Sequence, residues 1–204
     1  MESFVRVSGI AVPMMRINID TDQITPGSEL IRMHQEEVYA PGLFAFQRYI
    51  GDRTPNPDFI LNQEPWNRSV FLLADRNFGC GSSRETAPKA LREYGFRSVI
   101  APSFGGIFFS NSFRNGLLPV ELPIEQVSEL ARQMEAANGH AEITVDLREE
   151  TVTAPDGVTF SFHSPRVLRQ MLLEGLDEIG VTLSRSTEIE AFRAKDRAKR
   201  PWAY

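Results

Sequence analysis

A single cysteine, Cys80, and three histidines stand among the 204 residues of this chain. One thiol rules out an intrachain disulfide and a self-contained three- or four-cysteine metal or iron–sulfur site. His34, His140 and His163 are far apart in sequence and form no ligand motif. No apolar run approaches the length of a transmembrane helix, so no membrane partner is expected. Met1-Glu2-Ser3 is polar and acidic, and Arg6 and Pro13 break the apolar stretch behind it. A signal peptide is therefore not expected, and a cytoplasmic location is the default. Basic residues are outnumbered, and the formal net charge of −5 argues against a nucleic-acid partner. What remains is an ordinary globular composition, 42% hydrophobic and 24% charged, long enough to bury one substantial core.

Residues Phe4–Val12 read as a strand, followed by a polar, turn-rich stretch over Asn18–Pro26. Two short helical patterns surround Glu36–Phe46, and a loop with Pro55, Pro57 and Pro65 is long enough to pass over a binding site. The next segment is regular: strand Ser69–Ala74, turn Asn77–Gly81, helix Ser82–Tyr94 closed by Gly95, strand Arg97–Ala101, helix Gly105–Asn115, strand Leu118–Leu122. That alternation predicts parallel β-α-β units with right-handed crossovers. An amphipathic helix over Ile124–Ala137 precedes strand patterns at Glu142–Asp146, Thr151–Ala154 and Val158–Phe162, then a helix from Pro165 to about Glu174. The fold class is α/β. We expect one domain over residues 1–185, with an excursion over about 27–67, and a charged helical tail at 186–204.

The stretch Asp75-Arg-Asn-Phe-Gly-Cys-Gly-Ser-Ser-Arg-Glu85 carries the chemistry. Ser82-Ser83-Arg84-Glu85 matches a capping box, which by itself says only that a helix starts. Three features go beyond a cap. Gly79 and Gly81 would let the backbone approach a ligand closely, and Ser83 is a second hydroxyl that capping does not need. Arg84 puts a cation in the first turn, where the helix dipole disfavours it, so an anionic partner such as a carboxylate is expected. A serine hydroxyl in that positive potential suits proton abstraction beside a carboxylate. No P-loop lysine and no Rossmann fingerprint is present, which argues against nucleotide binding.

Two further stretches carry weaker signals. Asn18-Ile-Asp-Thr-Asp22 is either an Asx-type turn or an acidic–hydroxyl loop that handles a hydroxyl or water, or orients Arg84. The stretch from Ser103 to Pro119 mostly signals tight packing, with Asn111 and Arg114 as candidates to face the site.

Taken in order, Asn18–Asp22, Pro55–Phe59, Leu61–Gln63, Asn77–Glu85 with Ala87-Pro88, Ala101–Phe104, Asn115–Pro119 and Leu176–Gly180 resemble the small-subunit family of 3-isopropylmalate dehydratases. That family matches the swivelling fourth domain of aconitase, and the resemblance covers about residues 5–192. It implies a swivelling β/β/α domain with a mixed or parallel sheet flanked by helices. It also implies a large partner subunit, in a heterodimer or heterotetramer, that carries a [4Fe–4S] cluster. No cofactor would be bound by this chain. By the same resemblance, Ser82 is the base. Ser83 and Arg84 bind the carboxylate of a small hydroxy-dicarboxylate, and Thr21 and Asp22 lie in the loop around the leaving water. The implied reaction isomerises 2-isopropylmalate to 3-isopropylmalate by dehydration and rehydration, a step of leucine biosynthesis.

The chain departs from the family pattern at Thr86, where His is usual, at Lys89, where Trp is common, and over Met33–Leu43. In the family the last region helps to choose the substrate side chain. A related acid, such as a methyl- or dimethylmalate or a homocitrate-like substrate, is the alternative, and a non-catalytic anion-binding module is a second one.

Overall fold

The apolar stretch that opens the chain is divided between two sheets. Strand β1 (Arg6–Gly9) pairs antiparallel in one, and β2 (Ala11–Met14) pairs parallel in the other. The single Phe4–Val12 strand expected from the pattern is thus broken at Ile10. Two contacts make the break. The Ile10 carbonyl accepts from the amides of both Val70 and Phe71. Val70 also presses on the Gly9 backbone so closely that a Cβ there would lie 2.5 Å from Val70 Cγ2. The structure, a computed structural model, describes all 204 residues, Met1–Tyr204.

Helices α1 (Thr21–Ile24), α2 (Leu30–Glu36) and α3 (Ala45–Arg48) and a small hairpin, β3 (Tyr49–Ile50) with β4 (Thr54–Pro55), follow β2. Then β5 (Phe71–Ala74), α4 (Thr86–Tyr94), β6 (Ser98–Ala101), α5 (Gly106–Arg114) and β7 (Leu118–Glu121) alternate, as the sequence pattern predicts. Helix α6 (Ile124–Ala136) leads to β8 (Ile143–Asp146), β9 (Thr151–Thr153) and β10 (Thr159–Ser161). Helices α7 (Arg166–Glu174), α8 (Glu178–Ser184) and α9 (Ser186–Lys199) end the chain.

The parallel sheet has the order β2-β5-β6-β7, with Val12 opposite Leu72, Leu72 opposite Val99, and Val99 opposite Pro119. Every residue of β2, β5 and β6 is buried, the continuous apolar reading of strands covered on both faces. Helix α6 supplies part of that cover: Val127, Leu130, Ala131 and Met134 form one buried stripe, and the helix packs on β2, β5 and β6. The second sheet, β1-β8-β9-β10, is antiparallel. In β8, Ile143 and Val145 are buried while Thr144 and Asp146 are half-buried, as expected of a sheet with one wetter face.

The excursion after α1 is packed down rather than loose. Met33, Leu43, Phe44 and Leu61 are all 1% exposed or less. The Phe44 amide donates to the Ile24 carbonyl at 2.8 Å, and Asn62 Nδ2 donates to the carbonyls of Arg48 and Asn56. Glu29 accepts from Arg32 at 2.5 Å and from Arg53 at 2.9 Å. Burial pushes the Glu29 carboxyl up, but the hydrogen bonds from Arg32 and Arg53 outweigh it and hold it below its ordinary range. By contrast, α9 has no buried residue.

One local expectation fails in an informative place. The helix expected from Ser82 begins at Thr86, four residues later, with Glu85 at the N-cap and no side-chain capping bond. Ser82–Glu85 is therefore not a capping box, and Arg84 does not sit in a helical first turn.

Candidate active site

Ligands of parallel sheets usually bind beyond the carboxyl ends of the strands, and here three loops meet there. They leave β2, β5 and β6 and are bonded to one another. The Gly79 amide donates to the Ile19 carbonyl at 2.7 Å, and the Thr21 amide to the Cys80 carbonyl at 2.9 Å. On the other side, the Phe78 amide donates to Ser103 O and the Gly105 amide to Phe78 O. Asn77 and Asn18 both take left-handed backbone, which asparagine tolerates, and their side chains join at 2.8 Å. The middle loop is thus held from both flanks.

Gly79 has a different function from the one its sequence context suggests. It adopts φ +70°, and a Cβ there would lie 2.2 Å from Phe108 Cγ. The close approach is to a core aromatic, not to a ligand. Cys80 lies next to it, half-buried, and burial together with the Asp20 carboxylate pushes its thiol up, away from thiolate chemistry.

The four-residue helix α1 organises the rest. Asp20 is its N-cap and accepts from the Gln23 amide at 2.7 Å. Thr21 is 1% exposed, and its hydroxyl donates to the Ser82 carbonyl at 3.1 Å. Asp22 is exposed, with Oδ1 2.6 Å from Arg84 Nη1, and the same nitrogen donates to the Thr25 carbonyl at 2.8 Å. So Arg84 is anchored through one nitrogen. Its Nε and Nη2 have no partner in the protein and are not sealed from solvent, which leaves a second edge open for an anion. Ser82 and Ser83 are both exposed, and neither hydroxyl bonds within the chain.

Beside Arg84 opens a pocket of about 300 Å³, lined by Ser83, Arg84, Glu85, Thr86, Lys89, Leu30, His34 and Tyr39. The sequence positions that depart from the family pattern therefore converge on the arginine. Lys89 Nζ lies 3.6 Å from Glu85 and 5.6 Å from the centre of the Tyr39 ring. Thr86 is buried and shares a 3.2 Å hydrogen bond with the hydroxyl of Thr25. Asn111 and Arg114 are not brought into this group. Arg114 pairs with Glu178 of α8 at 2.8 Å and lines a separate depression.

The comparisons with known proteins fit this geometry. A family model for the aconitase C-terminal domain matches residues 1–125, and one described as LeuD_N matches residues 128–163. A 3-isopropylmalate dehydratase small subunit from Cupriavidus necator is 48% identical over 206 residues, covering 100% of this chain and 99% of the relative. The chain belongs to the 3-isopropylmalate dehydratase small-subunit family. A second small subunit of that name, from Neisseria meningitidis serogroup C, is 44% identical over 213 residues, covering 100% of this chain and 99% of its own. The crystal structure of a 3-isopropylmalate dehydratase (leuD) from Methanocaldococcus jannaschii superposes with a TM-score of 0.62 at 25% identity, over 92% of this chain and 99% of that one. For a member of the small-subunit family a larger partner subunit is implied.

The small-subunit reading of the sequence overlooked Thr25. A signal for it exists: Pro26 follows, and the residue before proline is driven to extended backbone. Thr25 has φ −137° and ψ 92°, which ends α1 and turns its carbonyl toward Arg84.

Proposed function

We propose that this chain is the small subunit of a hydro-lyase that isomerises 2-isopropylmalate to 3-isopropylmalate through the intervening maleate. The observation that carries the reading is the half-anchored guanidinium of Arg84, which shares a pocket with Ser83 and follows the exposed Ser82 by two residues. In this reading the open edge and Ser83 hold a substrate carboxylate. Ser82 Oγ, as alkoxide, takes the proton from the carbon next to that carboxylate, and the C–O bond on the neighbouring carbon breaks, releasing hydroxide. Hydroxide then adds to the carbon that lost the proton, and the Ser82 hydroxyl returns its proton to the other carbon. Arg84 supplies the positive potential that favours the alkoxide, in place of the helix terminus. Asp22 holds Arg84, and Thr21 holds the Ser82 backbone from beneath.

The family implies an iron–sulfur cluster, and the residues present do not fit one. Cys80 is the only thiol, and no three His, Cys, Asp or Glu side chains converge on a metal position. A [4Fe–4S] cluster, and the large subunit that carries it in a heterodimer or heterotetramer, belong outside this chain. No helix is long and apolar enough to cross a membrane, and we place the complex in the cytoplasm.

A specific observation favours a second reading of the substrate. The pocket beside Arg84 has Leu30 as its one aliphatic side chain, with the charged Arg84, Glu85 and Lys89 on its wall. An isopropyl group is better served by apolar walls, so a smaller or more polar substituent, as in methylmalate or a homocitrate-like acid, is the alternative. The test is to reconstitute the chain with its large subunit and assay a panel of substituted malates. Ser82→Ala should remove turnover by a factor on the order of 10² to 10⁴. Wild-type turnover in Ser82→Ala would sink the base assignment. A wild-type complex inert on every malate would leave a non-catalytic anion-binding module.

A further inference from the structure

Thr25 and Thr86 place two hydroxyls where the packing has no need of them. Thr25 is 0% exposed and Thr86 5%, and their Oγ1 atoms lie 3.2 Å apart. Thr25 Oγ1 also lies 3.3 Å from the Thr21 carbonyl, which accepts but cannot donate. The direction of the chain follows: Thr86 O–H donates to Thr25, and Thr25 O–H donates to Thr21 O. This relay joins the last turn of α1 to the first residue of α4.

The relay runs close to Arg84. Thr86 follows it by two residues, and the Thr25 carbonyl accepts its Nη1 at 2.8 Å. The Thr21 end also carries the hydroxyl that donates to Ser82 O at 3.1 Å. A hydrogen bond is directional, whereas two apolar groups of the same shape would fill the space without fixing an angle. We propose that the Thr25–Thr86 hydroxyl pair positions Arg84, by fixing the angle between α1 and α4 at which the guanidinium keeps one edge open. Thr25 and Thr86 are positioning residues, acting on the ligand through Arg84.

The inference rests, for its kinetic arm, on the reading of Arg84 as the carboxylate-binding residue. A merely structural pair makes a different prediction. Replacing both partners of a buried hydrogen bond by apolar groups of the same shape is nearly neutral for stability. The test therefore uses the double variant Thr25→Val/Thr86→Val, with Thr86→Ser as the conservative control. In the full chain, the Arg84 side-chain resonances, assigned by their loss in Arg84→Lys, report its order by nuclear magnetic resonance. They should be restricted in the wild type and in Thr86→Ser, and averaged in the double variant, with the melting temperature unchanged. In the complex with the large subunit, the double variant should raise KM about tenfold, the factor that 1.4 kcal/mol of lost binding represents. Any fall in the turnover number should be smaller than the rise in KM, because the guanidinium keeps its charge and loses only its fixed position. Thr86→Ser should restore KM.

Wild-type Arg84 resonances in the double variant would overturn the proposal. So would a wild-type KM. If the wild-type complex turns over no malate, the proposed function fails, and the resonance arm alone decides the positioning. If Thr86→Val alone does not fold, the double variant, which orphans no hydroxyl, still carries the test.

Discussion

Replacing Gly79 by alanine puts a methyl group into space that Phe108 already fills. The built Cβ would lie 2.2 Å from Cγ, 2.6 Å from Cδ2 and 2.7 Å from Cβ of that ring, where carbon atoms rest at about 3.5–4.0 Å. Phe108 cannot swing into solvent: it is 2% exposed, with the Phe78 ring centre at 5.3 Å and that of Phe104 at 6.2 Å. Left-handed backbone adds a cost of about 1–2 kcal/mol for a residue with a Cβ. Overpacking adds about 1–3 kcal/mol, so Gly79→Ala should lose roughly 2–5 kcal/mol in all. In urea the midpoint should fall with the slope unchanged. The clash half is separable. Phe108→Ala alone should cost about 3–5 kcal/mol. Because it also removes the clash, the double variant should be more stable than the two single losses added together, by at least about 1 kcal/mol. A Gly79→Ala chain within about 0.5 kcal/mol of wild type would refute the packing argument. Strict additivity with Phe108→Ala would refute the contact with that ring.

Arg84→Lys keeps the charge but has one ammonium for the Thr25 carbonyl, Asp22 and the ligand together. Steady-state kinetics of the complex should show KM raised about tenfold or more, and an unchanged KM would remove Arg84 from substrate binding. Glu29 is held below its ordinary range in the folded chain, so its contribution is fully present above the unfolded value of about 4.3. That contribution disappears as pH falls through the lower folded-state value. Glu29→Gln should cost about 1 kcal/mol at pH 7 after discounting for partial exposure. It should also flatten the acid limb of denaturation curves below about pH 4.3, where the wild-type contribution is being lost, and an unaltered acid limb would refute the assignment. Because α9 buries no residue, truncation after Arg185 should leave the thermal midpoint of the chain unmoved. A drop of several degrees in calorimetry would make the tail part of the domain.

Some of this molecule is written locally and some is not. The β5-α4-β6-α5-β7 core is legible because buried parallel strands read as short apolar runs and Gly95 closes its helix in place. The serine–arginine motif and the acidic loop could likewise be picked out, since unusual residue types stood together. What sequence could not determine was how the motif folds. Ser82–Glu85 has the local pattern of a cap, yet Arg84 is drawn to Asp22 and to the Thr25 carbonyl, the latter 59 residues earlier. That long-range pull outweighs a local capping preference of about 1 kcal/mol. For the same reason the first strand breaks at Ile10, where Val70 and Phe71 both claim one carbonyl, and Gly79 turns out to serve Phe108. Periodicity and residue type fix which face of an element is buried. Only the assembled chain decides which distant group a polar atom meets, because that depends on the angles between elements that no local window contains.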